Sequence, residues 1–388
     1  MKKMFIALLI FFFFSLNAGC KNYESIDRVI NSSSISRTAV VSVSVRDVNT
    51  GQVVYSRDEK LLLHPASTLK AFTVPYVYEK LGKDYKLDTS FYVLGSTLYI
   101  DLSGDPLLSG KNLDIALKNL KARNINKISS VVINDKIMDE INWGVGWMWD
   151  DDKNPYMPKY SAYNIDHNLF YSGVPVTDPK ANFINILKCK FKTSGITFNG
   201  SIRSGFIPAN ALLKYKLTHN LPDVLKIINK KSDNLAAETV LKLASRDKYN
   251  LTGSTKRGVK ELIYFYEQMG LKNSDIIIVD ASGVSHNDLV QADWMSLALT
   301  KIYKKPYAGF YINTLPSPGN GTLSHRLLEY PFSIWAKTGT LSAISGITGY
   351  IKTQSGSTYS FAILIQNCPD TNEAKKLEDK IIEEIIRS

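Results

Sequence analysis

The sequence predicts a mixed α/β (α+β) fold in which one domain is interrupted by a β-rich insertion and then resumed, on three observations. Strand-like alternation over residues 39–45 is followed by a turn and a return strand, and then by a helix that opens near Ser67. Between about residues 84 and 218 the texture changes to short β-like runs separated by Gly, Pro and Asn turns. From Leu221 helical periodicity resumes, and the chain closes on two apolar strands and an amphipathic helix.

Each element has a local reason. Ala39-Val40-Val41-Ser42-Val43-Ser44-Val45 alternates, Asn49-Thr50-Gly51 supplies a hairpin turn, and Gln52-Val53-Val54-Tyr55 returns. The helix opening at Ala66-Ser67-Thr68-Leu69-Lys70 stops at Gly82, and Pro75 within it predicts a kink. In the insertion, residues 91–94, 97–100 and 131–133 are strand candidates. Residues 347–351 and 359–366 are the closing strands, and about 372–386 the last helix. The expected organisation is therefore residues 39–83 plus 219–388 as one domain, with 84–218 inserted as one or two subdomains. At 388 residues the chain exceeds one simple core, in keeping with that division.

The N-terminus reads as an export signal. Lys2-Lys3 precedes a thirteen-residue apolar stretch from Met4 to Leu16, too short to span a bilayer. Leu16-Asn17-Ala18-Gly19-Cys20 follows and resembles the lipobox of bacterial lipoproteins, which implies a lipid anchor on Cys20. Ordinary cleavage near Ala18, with release into the periplasm or medium, is the alternative, and both mean export. Residues 21–38 are polar and Ser/Asn-rich and predict a tether.

Without Lys2 and Lys3 the 47 basic residues become 45 against 36 acidic ones, a surplus of nine that suits an anionic envelope. No nucleic-acid-binding module or concentrated basic stripe accompanies it, which argues against nucleic acid as a partner. Five scattered histidines and three cysteines show no metal-ligand spacing, so neither a metal nor a cofactor is implied. Cys189 and Cys368 are either a disulfide or two free thiols.

Three short motifs carry chemistry. In Ser67-Thr68-Leu69-Lys70, a three-residue helical spacing brings an amine to a hydroxyl, a nucleophile and its base. Lysine serves as a base only if its pKa falls, which burial and a second cation, here Lys337, would both promote. The plain structural alternative is a helix cap beside a solvated lysine. Ser232-Asp233-Asn234 sits on a turn between two helices, where Ser232 would relay a proton and Asn234 would bond the substrate backbone; a cap is again the alternative. Lys337-Thr338-Gly339-Thr340 continues a strand-like run. Gly339 would admit a substrate backbone, Lys337 and Thr338 would hold a terminal carboxylate, and a β-turn is the alternative. The backbone N–H groups of Ser67 and Thr340 form the natural oxyanion pair, one such donor being worth about 3–4 kcal/mol.

These motifs, with Gly104-Asp105-Pro106, the Trp147–Asp151 segment, Tyr160-Ser161-Ala162, Ser232–Glu238, Asp280–Ser285 with Asn287 and the Leu315–Arg326 segment, resemble the penicillin-recognising serine enzymes. More narrowly, they resemble the D-alanyl-D-alanine carboxypeptidase/endopeptidase family of class C low-molecular-mass penicillin-binding proteins. The resemblance implies a core sheet flanked by helices, with extra domains between the first and second motifs. It also implies peptidoglycan stem peptides as substrates, β-lactam antibiotics as covalent inhibitors and an acyl-enzyme on Ser67. Lys70 is then the base, Ser232 and Asn234 the second element, and Lys337, Thr338 and Thr340 the carboxylate and oxyanion contacts. The Trp-x-Trp-Asp-Asp segment resembles one that receives the amino group of the stem-peptide side chain, which points to Asp151. Ala281 departs from the glycine usual at its place. A β-lactamase and a non-catalytic envelope lipoprotein binding peptidoglycan or β-lactams are the competing functions; the long insertion opposes the first and the intact Ser67, Lys70 and Lys337 set opposes the second.

Overall fold

The computed structural model describes residues 24–249 and 251–388; the expected export signal and Cys20 lie outside them. The elements in chain order are α1 (Glu24–Asn31), β1 (Val40–Asp47), β2 (Val53–Arg57), α2 (Lys70–Leu81), β3 (Lys86–Leu94), β4 (Thr97–Asp101), α3 (Gly110–Ala122) and β5 (Lys127–Asn134). Then come α4 (Pro179–Ser194), β6 (Thr197–Ser204), β7 (Leu212–Asn220), α5 (Leu221–Lys230), α6 (Asn234–Ala244), α7 (Thr255–Glu267), and the short β8 (Ile276–Ile277) and β9 (Leu289–Val290). The last are α8 (Ala292–Tyr303), α9 (Ala308–Thr314), β10 (Ile334–Leu341), β11 (Ile344–Lys352), β12 (Thr358–Gln366) and α10 (Thr371–Arg387).

The two ends of the chain share one antiparallel sheet, ordered β10-β11-β12-β1-β2, in which the early hairpin pairs with the last strand through Val40 to Gln366 and Asp47 to Tyr359. Helices cover both faces. Phe361, Ile363 and Ile365 of β12 enter one core with α1 and α10, whereas Ala362 and Leu364 enter the other with α8 and α2. Burial on both faces explains why β12 reads as a continuous apolar run rather than an alternating one.

Residues 24–31, expected as part of a tether, are the helix α1 instead, because Ile26 and Ile30 fall on one face and bury against the α10 core. Their polar neighbours on the outer face gave the segment its tether-like composition. The insertion is also less purely β than expected. Its sheet runs β6-β5-β4-β3-β7, with β4, β5 and β6 parallel, and parallel neighbours require crossovers, supplied by α3 and α4. The signals for both helices are in the sequence: a Ser109/Asn112 capping box opens α3, and Asp178 caps α4 ahead of Pro179.

Pro75 does not end α2, which continues to Leu81. A proline at this position leaves the Ala71 carbonyl without its helical donor, and the buried Tyr311 hydroxyl donates to that oxygen at 2.8 Å. Cys189 is exposed and Cys368 buried, and both are free thiols. Among the described residues no helix is long and apolar enough to cross a membrane.

Candidate active site

Ser67 stands in a single 3-10 turn, Ala66–Leu69, that leads directly into α2. Lys70, the first residue of α2, donates from Nζ to Ser67 Oγ at 2.9 Å and to the Ser282 carbonyl at 2.6 Å. Its side chain is fully buried, and burial pushes its pKa down to about 8 against the upward pull of Asp280, Glu238, Asp233 and Asp288. Roughly a tenth of the amine is then free at pH 7. The leading cause is burial, and the repulsion expected from a second cation appears on the other lysine: Lys337 is held well below its ordinary value by burial and then by Lys70.

Ser232 occupies the turn between α5 and α6 with φ at +59°, a conformation that costs a serine about 1–3 kcal/mol and marks a position held by its surroundings. The capping alternative falls to its neighbour, since Asp233 accepts from Ala236 N at 2.8 Å. Ser232 Oγ is thereby left for Lys337, whose Nζ donates to it at 2.9 Å and to Thr338 O at 2.6 Å. Asn234 sends its amide nitrogen to Tyr156 O at 2.7 Å, a tie to the insertion, and its buried Oδ1 has no partner.

The third motif lies within β10, so a strand and not a turn carries it. Thr338 and Thr340 face the cleft, and the Thr338 hydroxyl donates to Thr322 Oγ1 at 2.6 Å. Lys337 lies beneath the cleft wall, fully buried. Gly339 has a different role from the one expected of it. A Cβ there would stand 2.9 Å from Pro65 O, Ser67 N and Thr68 N, so the missing side chain admits the nucleophile's own turn. That contact sets β10 directly against Ser67.

Ser67, Ser232, Asn234, Thr338 and Thr340 converge on one cleft of about 790 Å³, which Asp150, Asp151 and Tyr156 of the insertion also line. Asp151, in the turn Trp149–Lys153, accepts from Met148 N at 3.1 Å, and partial burial leads the causes that push its carboxyl above the usual range. All eight residues singled out in the sequence therefore belong to this region, six lining the cleft, with Lys70 reaching it through Ser67 and Lys337 through Ser232.

Sequence reasoning passed over the groups that hold these in place. The Trp147 indole donates to Asp280 Oδ2 at 2.9 Å, and Asp280 in turn accepts from the backbone of Ser282, Gly283 and Ser285. One indole thus ties the insertion's loop to the segment whose carbonyl holds Lys70. Both residues lie in segments that carry the family resemblance, but nothing local shows that they meet across the fold.

The D-Ala-D-Ala carboxypeptidase 3 (S13) family matches residues 23–175 and 172–385, nearly the whole described chain. The chain belongs to this family. Among curated relatives, the D-alanyl-D-alanine carboxypeptidase DacB of Haemophilus influenzae is 23% identical over 406 residues, covering 84% of this chain and 85% of that protein. The fold is that of penicillin binding protein 4 (dacB) from Haemophilus influenzae, whose crystal structure superposes with a TM-score of 0.84 at 20% identity, over 94% of this chain and 99% of that one. A penicillin G-acylated predatory endopeptidase from Bdellovibrio bacteriovorus shares the fold more distantly, with a TM-score of 0.57 at 19% identity over 89% and 92% of the two chains.

Proposed function

We propose that this chain is an exported serine D-alanyl-D-alanine carboxypeptidase of the cell wall, acting through an acyl-enzyme on Ser67. The observation that carries the assignment is the 2.9 Å approach of a fully buried lysine amine to the hydroxyl of a serine on a cleft wall. Family membership supplies the substrate class.

In the free-amine state Lys70 takes the Ser67 proton as Oγ attacks the penultimate D-alanine carbonyl. The backbone N–H groups of Ser67 and Thr340, on the turn and the strand that meet at Gly339, receive the developing oxyanion. Ser232 passes a proton to the departing amine, with Lys337 at its hydroxyl, and the terminal D-alanine leaves. Water then attacks the ester by the reverse proton path, restoring Ser67 and releasing the shortened peptide. Thr338 holds the terminal carboxylate, supported from below by the buried Lys337, whose amine donates to the Thr338 carbonyl. Asn234 hydrogen-bonds the substrate backbone, and Asp151 takes the amino group of the stem-peptide side chain.

Hydrolysis of existing D-alanyl cross-links uses the same groups on a larger leaving amine, and a cleft open to the Asp150–Tyr156 segment supports that activity too. β-Lactams would acylate Ser67 as they do the endopeptidase of the same fold. Anchoring through Cys20 is part of the proposal.

Intact-protein mass spectrometry of the purified protein with benzylpenicillin, sampled from seconds to hours beside Ser67→Ala, tests this. A lasting one-drug adduct absent from the variant supports the assignment. A brief adduct with drug consumption indicates a β-lactamase, and no adduct overturns the nucleophile.

A further inference from the structure

Below the nucleophile lies a buried carboxyl that none of the three motifs contains. Glu238 stands on α6 four residues after Asn234, so both point to the same side of that helix. It is fully buried. Its Oε1 accepts from the backbone N–H groups of Ala281 and Ser282, each at 2.9 Å. The carbonyl of the same Ser282 receives the Lys70 amine at 2.6 Å, and that amine reaches Ser67 at 2.9 Å. A continuous path therefore runs from carboxyl to backbone to amine to nucleophile.

Stability alone is a poor reason for a carboxyl at this place. Its second oxygen, Oε2, is buried without a partner, an arrangement that costs about 1–3 kcal/mol. The amide of a glutamine would offer the same acceptor to the two N–H groups without a buried charge. What the carboxyl adds, where it is ionised, is a charge that faces Lys70. Asp280 and Asp288 reach the pair from the loop after β8, Tyr160 from the insertion, and Lys242 from the next turn of α6; Asp233 and Lys337 face the lysine. Burial pushes the Glu238 carboxyl up, with Asp280 adding to the shift, as it pushes Lys70 down. Both titrate around pH 8; where Glu238 is ionised and Lys70 protonated they carry opposite charges, and each then partly restores its partner's ordinary behaviour.

We infer that Glu238 is a positioning residue for the reaction, fixing through the Ala281–Ser282 backbone the carbonyl that aims the Lys70 amine at Ser67, while its charge faces that same amine. The inference rests on the assignment of Ser67 as nucleophile and Lys70 as base. Over the pH range in which it ionises, the carboxylate favours the lysine ammonium, so its removal frees the amine at lower pH.

The test is the pH profile of benzylpenicillin acylation of the full chain, followed by mass and expressed per folded molecule, for wild type, Glu238→Gln and Glu238→Ala. Glu238→Gln keeps the size and the acceptor, so its maximal rate should stay near wild type while the acid limb of its profile moves to lower pH. Glu238→Ala loses the acceptor, and acylation should fall roughly tenfold or more at every pH as the amine loses its aim. Circular dichroism of both variants separates lost folding from lost chemistry. A superimposable Glu238→Gln profile, together with wild-type acylation in folded Glu238→Ala, would reduce Glu238 to a packing role and overturn this inference alone. Absence of a Ser67 adduct in wild type would instead overturn the nucleophile assignment, and the inference with it.

Discussion

The two five-stranded sheets of this chain are built to different standards of enclosure. In the first, β11 is buried at eight of its nine positions and β12 at all but its first, with helices on both faces. In the second, the edge strands β6 and β7 contain no fully buried residue. The first sheet therefore has close-packed neighbours that fix its side chains, and it bears the glycine that meets the Ser67 turn, the threonines that line the cleft and the lysine bonded to Ser232. The second sheet holds its chemistry at arm's length, in the loop after β5 that reaches the cleft and is tied there by an indole and an amide. On the proposed function, the enclosed sheet backs the nucleophile, and the looser one carries the loop that would recognise the rest of the substrate.

The largest effect should come from emptying the enclosed side of its base. Lys70→Met preserves side-chain length and burial while removing the amine, and the acylation rate should fall by about 10²–10⁴-fold. In wild type the rate should rise with pH through about 8, because only the deprotonated amine can take the serine proton. A stopped-flow pH series should show that rise in wild type and not in the variant.

A pair of matched glycines sharpens the contrast. Gly339→Ala drives a Cβ to 2.9 Å from three backbone atoms of the nucleophile's turn. Displacing that turn should lower acylation about 10²-fold even in the folded fraction. Gly200→Ala in β6 drives a Cβ still closer, to 1.8 Å from Ser129 O, beside the register shift between Ile128 and Ser130. It should destabilise by about 1–3 kcal/mol and leave acylation per folded molecule unchanged. Thermal melts and acylation rates on both variants check the pair; if Gly200→Ala slowed the chemistry as much, the two sheets would not be separable in role.

What the sequence disclosed follows the same division. Contiguous signals survived translation into structure: the hairpin, α2, the closing strands and α10 each advertise a period, and each motif concentrates its chemistry within four residues. Signals that depend on a distant partner did not. Helix α1 buries just Ile26 and Ile30, with Val29 half-buried beside them, and needs α10 to give them a place. Gly339 was credited with admitting substrate because its true neighbour, the turn at Ser67, is more than 260 residues away in sequence. Lys337 was expected in the cleft, since nothing local shows that its neighbours close over it. Ser282 works through a backbone carbonyl, which no residue identity announces.

The tie between the two regions should yield to a modest change. Trp147→Phe keeps an aromatic ring against Trp143 and Tyr160 but loses the donor to Asp280 Oδ2. Loss of that buried bond should cost about 1–3 kcal/mol. With the Asp150–Tyr156 segment less firmly held, KM for a stem-peptide substrate should rise more than kcat falls. Steady-state kinetics on a pentapeptide measures the split, and a fall confined to kcat would place Trp147 with the chemistry instead.

The smallest effect should be a pH dependence that also crosses between regions. His167 of the insertion stands 3.2 Å from Asp233, the cap of α6 beside Ser232, and this hydrogen bond raises the imidazole pKa above its ordinary value; nearby Lys231 opposes the shift and Asp166 adds to it. A raised folded-state pKa means that the pair's contribution to stability is complete below about pH 6.5 and fades as pH climbs through the raised value. The imidazole is 45% exposed, so solvent screening limits the contribution to about 1 kcal/mol or less. The difference in Tm between wild type and His167→Gln should accordingly be greatest in mildly acid buffer and vanish toward alkaline pH. A difference that grew with pH would mean that the neutral imidazole makes the contact, and that the link between insertion and catalytic turn is a hydrogen bond without charge.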